Sequence, residues 1–86
     1  MKYLNGHHTH QILCKWVNEV QKPMSYIEDH EAKVIHIYTK YPGYFIGRYG
    51  ETVNRYRTEL REIGWDNVDF FELTNTILPR KIDTQS

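Results

Sequence analysis

The sequence predicts one small α+β domain. Three observations carry this: an amphipathic helical stripe near the start, a β-branched run closed by proline and glycine, and a second helical stripe that leads into another apolar strand. A chain of 86 residues buries only about 60 to 65% of the surface its unfolded form exposes, so the core must be compact.

From Thr9 to Gln21, the residues Ile12, Leu13, Trp16, Val17 and Val20 recur at spacings that place them on one side of a helix. Pro23 stops it. Met24 to Ile27 is short and apolar and "EDHEA" reads as a charged turn, so a hairpin is expected, with its first strand weakly marked. The run "KVIHIYT", Lys33 to Thr39, is the clearest strand, dense in β-branched and aromatic residues. Ile35 and Ile37 share one face of it; Val34, His36 and Tyr38 share the other.

Pro42 opens a short helix over "PGYFI", because at the first helical position its missing N–H is not needed. Gly47 ends that helix. From Glu51 to Ile63, Val53, Tyr56, Leu60 and Ile63 form the stripe of a second long helix, and Gly64 suits the left-handed position just past its end. A strand from Val68 to Leu73 follows a turn at Asp66 and Asn67. Its faces are not separable by pattern, since Val68, Phe70, Phe71 and Leu73 are all apolar. The expected domain spans residues 1–78, and 79–86 form a polar, flexible tail.

Composition narrows the function. Forty per cent hydrophobic and 26% charged residues describe a soluble globular chain, and no apolar run nears the roughly 20 residues that span a bilayer. One cysteine, Cys14, excludes an internal disulfide framework; with no signal peptide visible, a cytoplasmic location is expected. Eleven basic residues balance eleven acidic ones, which argues against indiscriminate attraction to nucleic acid. The balance is uneven, however. Between Lys40 and Arg61 five basic residues (Lys40, Arg48, Arg55, Arg57, Arg61) face only Glu51 and Glu59.

Enzyme chemistry has little support. Cys14 and His10 fall on an exposed helical face with no carboxylate to orient the imidazole, so no catalytic residue is assigned. His7, His10 and Cys14 share that face at spacings of three and four, but a zinc site would lack a fourth ligand, so neither a metal nor another cofactor is expected. His36 reads as a surface or groove residue.

Gly47-Arg48-Tyr49-Gly50 lies between the short helix and the long one. Free N–H groups at the start of a helix attract phosphate, glycines let a ligand's backbone approach, and Arg48 adds a charge-assisted contact. Around that loop, "VIHIYTKYPGYFIGRYGETVNRYRTEL" resembles the centre of a KH domain, in the type II form seen in a small-subunit ribosomal protein. Thr39, Pro42, Gly43, Phe45, Ile46, Gly47, Gly50, Glu51 and Val53 carry the likeness, which covers Val34 to Leu73.

The resemblance implies the order α-β-β-α-α-β, with a three-stranded sheet covered on one face by helices. It also implies a GXXG loop that clamps about four nucleotides of single-stranded RNA, or less readily single-stranded DNA, without catalysis. Gly47, Arg48, Tyr49 and Gly50 would hold phosphates and Ile46 would floor a groove for bases. Lys40 joins the strand to the Pro-Gly turn within this stretch and is counted with the site, Tyr44 and Tyr49 are the tyrosines left open as base contacts, and the helical wheel adds Arg57 and Arg61 as a basic flank. A few nucleotides give weak binding, so a protein partner or a homodimer would be needed for useful affinity. The rival expectation is a KH-like module for protein contacts that binds no nucleic acid.

Overall fold

The computed structural model describes residues 6–74 and 78–82, with residues 6 and 7 by their backbone alone. Helix α1 runs Gly6–Val20, strand β1 Ser25–Asp29, strand β2 Val34–Thr39, helix α2 Pro42–Ile46, helix α3 Glu51–Glu62, strand β3 Asn67–Glu72 and strand β4 Arg80–Ile82. A single 3₁₀ turn, Arg48–Gly50, separates α2 from α3. Among the described residues no helix is long and apolar enough to cross a membrane.

The hairpin is real, and longer in its first strand than the pattern marks. β1 pairs antiparallel with β2 from Ser25↔Tyr38 to Asp29↔Val34. Its turn is held by the Asp29 carboxylate, which accepts the N–H groups of Glu31 and Ala32 at 3.1 and 3.0 Å, and by Lys33 in a left-handed conformation at φ 60°. β3 then lies parallel to β2, in the register Ile35↔Val68 and Ile37↔Phe70. That register settles the faces of β3: Val68 and Phe70 point into the core, while Asp69 and Phe71 sit beside His36 and Tyr38 on the other side.

The sheet has four strands, in the order β1-β2-β3-β4, rather than three. Arg80–Ile82, expected within the polar tail, pairs antiparallel with β3, with Phe70 opposite Ile82. Physically, an edge strand left open presents a row of unpaired N–H and C=O groups, and β4 caps it. Ile82 packs against the core, while Arg80 pairs with Glu72 at 2.8 Å and Lys81 lies 3.6 Å from Asp69. With one apolar residue in three, such a strand leaves almost no pattern to read.

The core forms between the helices and one face of the sheet, and its centre is aromatic. Trp16 stacks on Tyr56 at 4.8 Å and meets Phe45 and Phe70 edge-on at 5.9 and 5.7 Å, geometries that aromatic quadrupoles favour. Its indole N–H donates to the Phe45 carbonyl at 3.2 Å, which ties α1 to α2. Trp65 does the same at the far end, donating to the Thr9 hydroxyl at 3.0 Å. The opposite face of the sheet, with Ile27, His36, Tyr38 and Phe71, carries no buried residue.

Candidate nucleic-acid interface

The loop is built from its two ends. Upstream, the buried Thr39 hydroxyl donates to the Pro23 carbonyl at 2.9 Å and accepts the Tyr41 N–H at 3.0 Å, which fixes how the chain leaves β2. Pro42 then starts α2, and Phe45, fully buried, anchors it. Downstream, Val53, Tyr56 and Leu60 bury the inner side of α3. The four loop residues bridge two helices that are each anchored in the core by buried side chains.

Gly47 closes α2, its N–H donating to the Gly43 carbonyl at 2.9 Å, and takes φ 80° with ψ 173°. Only glycine enters that region readily. A Cβ there would also overlap the Thr52 side chain, lying 2.8 Å from Thr52 Cβ and 3.0 Å from its backbone N. Gly50, at φ 73° and ψ 16°, is left-handed too, but a Cβ there would meet nothing closer than 3.8 Å. The first glycine is required by shape and the second by conformation alone.

Between them Tyr49 also adopts left-handed angles, φ 58° and ψ 25°, with 92% of its surface exposed. For a tyrosine this conformation costs about 1 to 2 kcal/mol, and no burial offsets it here. The amides divide unevenly. Those of Gly47 and Gly50 are committed, the latter to the Gly47 carbonyl at 3.1 Å, whereas those of Arg48 and Tyr49 have no acceptor among the described residues. Nor does the exposed Arg48 side chain have an anionic partner among them. Glu51 already occupies the first turn of α3, where a carboxylate complements the helix dipole, so an incoming anion depends on Arg48 and the two open amides.

The basic segment is smaller in effect than its count suggests. Arg55 is bound bidentately by Glu19, at 3.0 and 2.6 Å, and Tyr56 donates its hydroxyl to the same carboxylate at 2.6 Å. Those two hydrogen bonds, Arg55 first, hold the Glu19 carboxyl down at about 2. Sequence pattern cannot pair residues 36 and 37 positions apart, so this network was invisible to it.

Along the flank, the Asn54 amide nitrogen stands near Gly50, and its oxygen accepts from Arg57 Nη1 at 2.9 Å. Arg57 is half-buried, and desolvation followed by the charge of Arg61 pushes its pKa down. Arg61 donates from Nε to the Asp66 carbonyl at 3.1 Å. Asn54, Arg57 and Arg61 therefore continue from the loop along one side of α3.

The remaining candidates separate. Ile46 is partly buried against the core just ahead of Gly47. Tyr44 stands one turn earlier on the outer side of α2, meeting Tyr41 edge-on at 6.0 Å, and the exposed Lys40 lies beyond Tyr41. Neither is gathered at the loop. His36 sits on the open sheet face, 3.7 Å from Asp29 and 4.0 Å from Asp69.

Elsewhere, Cys14 Sγ lies 3.3 Å from His10 Nε2, and His10 Nδ1 lies 3.2 Å from the Tyr26 hydroxyl, at the edge of a cavity of about 260 Å³. Tyr26, from β1, thus stands beside the pair as a third polar group that the sequence did not indicate. His7, the third residue of the zinc reading, has its side chain outside the described residues, and no group of three ligands that could hold a metal occurs among those described. Comparison with protein-family models, curated proteins and solved structures finds no match to this chain.

Proposed function

We propose that this domain binds single-stranded RNA, or single-stranded DNA, through the Gly47–Gly50 loop, as a type II KH-like module without catalysis. The observation that carries the reading is the loop itself. Two glycines hold an exposed tyrosine in a costly conformation beside an unpaired arginine and two open amides, and such strain persists where it serves a purpose. The order α-β-β-α-α-β over Gly6–Glu72 supports it too, since this is the order the resemblance implies.

In this reading Arg48 and the amides of Arg48 and Tyr49 take phosphate oxygens. Ile46 and the Tyr49 ring take bases, and Asn54, Arg57 and Arg61 follow the strand along α3. Arg48→Asp with Tyr49→Asp tests it, because both side chains are exposed and aspartate tolerates the left-handed region. Gly47 is the wrong position to change, given its contact with Thr52.

Titration at low salt should show binding of short mixed-sequence RNA, with log affinity falling against log salt by about 0.7 per phosphate contacted. The double variant should lose it while keeping the circular dichroism of the parent. Absence of binding by the parent chain refutes the reading. The alternative, a protein-contact module, is favoured by the open sheet face, where Ile27 is 58% exposed.

A further inference from the structure

At the opposite end of α2 from the loop lies a cleft of about 340 Å³, lined by residues that include Pro23, Met24, Tyr38, Lys40, Tyr41 and Leu73. Its one charged wall residue is a cation. On the α2 side it continues into the pair Tyr41 and Tyr44, exposed by 39% and 55%, and Lys22 Nζ stands 4.9 Å from the centroid of each ring. On the sheet side it reaches Tyr38, which stacks on Phe71 at 4.9 Å. Among the described residues neither Lys22 nor Lys40 has a carboxylate partner, whereas Lys15, Arg55, Arg80 and Lys81 each do.

Cations that have no carboxylate partner among the described residues, set beside exposed aromatic rings in an apolar cleft with no acidic wall, fit a ligand that is flat and apolar in one part and anionic in the next. A nucleotide has that make-up: the base stacks on tyrosine and the phosphate meets the lysine. The cleft is also within reach of the loop. Tyr41 and Arg48 flank the five-residue helix α2, whose length at about 1.5 Å per residue is about 7.5 Å, which a few nucleotides of one strand can span.

We propose that this cleft is a second subsite for the same single strand, in which Tyr44, the more exposed ring, stacks on a base with Tyr41 edge-on beside it, while Lys22 and Lys40 hold its flanking phosphates. The proposal rests on the loop reading above. Thr39 helps to shape the cleft, because its hydroxyl joins the Pro23 carbonyl on one wall to the Tyr41 amide on the other.

The test is fluorescence anisotropy with 5′-labelled mixed-sequence RNAs of about four and about ten nucleotides, long enough respectively for the loop alone and for loop plus cleft. The longer RNA should bind about tenfold tighter, as expected for one added stacking contact. Tyr41→Ala with Tyr44→Ala should remove that gain and leave the shorter RNA unaffected, whereas Tyr41→Phe with Tyr44→Phe should keep it. Arg48→Asp with Tyr49→Asp should abolish binding of both.

If the short RNA binds and the longer one binds no tighter, the cleft proposal is overturned and the loop reading stands. If neither binds, both fall. If the longer RNA gains nothing and the chain instead forms a dimer that the tyrosine variants dissolve, the cleft is a contact between copies. Unchanged circular dichroism in each variant keeps these outcomes apart from unfolding.

Discussion

Replacing Gly47 by alanine asks how much of the loop's geometry is imposed by shape. Its φ of 80° with ψ of 173° lies where an L-residue costs about 1 to 3 kcal/mol. The added Cβ must also displace Thr52, whose Cβ would lie 2.8 Å away and whose backbone N, fixed in the first turn of α3, would lie 3.0 Å away; overpacking of this kind costs about 1 to 3 kcal/mol. Against these stands a gain of about 0.4 to 1 kcal/mol from restricting the unfolded chain. The net loss is about 3 kcal/mol.

Gly50→Ala is the internal control. It carries the left-handed cost of about 1 to 2 kcal/mol and the same unfolded-state gain, but meets no atom closer than 3.8 Å, so its net loss is about 1 kcal/mol. Urea unfolding followed by tryptophan fluorescence measures both, since Trp16 and Trp65 are buried and report the core. Equal losses for the two variants, at unchanged m-value, would refute the steric part of this reasoning. A loss below about 1 kcal/mol for Gly47→Ala would refute the whole of it.

Other expectations follow from the same contacts. Tyr49→Asn should stabilise the fold by about 0.5 to 1 kcal/mol, because asparagine accepts the left-handed angles, and should weaken RNA binding at the same time; the same urea titration and the anisotropy assay read the two effects. Thr39→Val keeps the shape of the side chain but strands the Pro23 carbonyl and the Tyr41 amide, so the urea midpoint should fall by the equivalent of about 1 to 3 kcal/mol. Glu19, held at about 2 against an ordinary 4.5, binds fewer protons folded than unfolded. Its contribution is therefore complete above about pH 4.5 and lost as pH falls toward 2, and thermal melts across that range should be steeper in pH for the parent than for Glu19→Gln. Tyr56 works at the other end. Burial and the Glu19 carboxylate raise its pKa from 10.0 to about 12, so the stability it confers is lost as pH rises from 10 to 12, and Tyr56→Phe should flatten that limb.

Local chemistry made the skeleton readable. Pro42 and Gly47 bound α2 where proline and glycine preferences place its ends, Gly64 lies just past α3 at φ 113°, and the alternation in "VIHIYT" gives the burial of β2 residue by residue. What escaped depends on partners distant in the chain. The faces of β3 are fixed by a parallel register with β2, and β4 by an open edge, neither of which leaves a local period. At the loop, residue types told where the glycines stand but not that Gly47 touches Thr52 or that half of the loop's amides are already committed. Charge counting misjudged Arg55 because Glu19 approaches it from another helix.

The bond from the Trp16 indole to the Phe45 carbonyl bears on how the domain could be divided. Most of the residues proposed for recognition lie between Val34 and Leu73, which invites the excision of that half as a portable loop. Without α1, however, α2 would lose its aromatic backing, with a carbonyl of its last turn stripped of its donor and Tyr56 left without both its stacking partner and Glu19. The N-terminal helix is a wall of the scaffold that aims the loop, and a graft must carry it along.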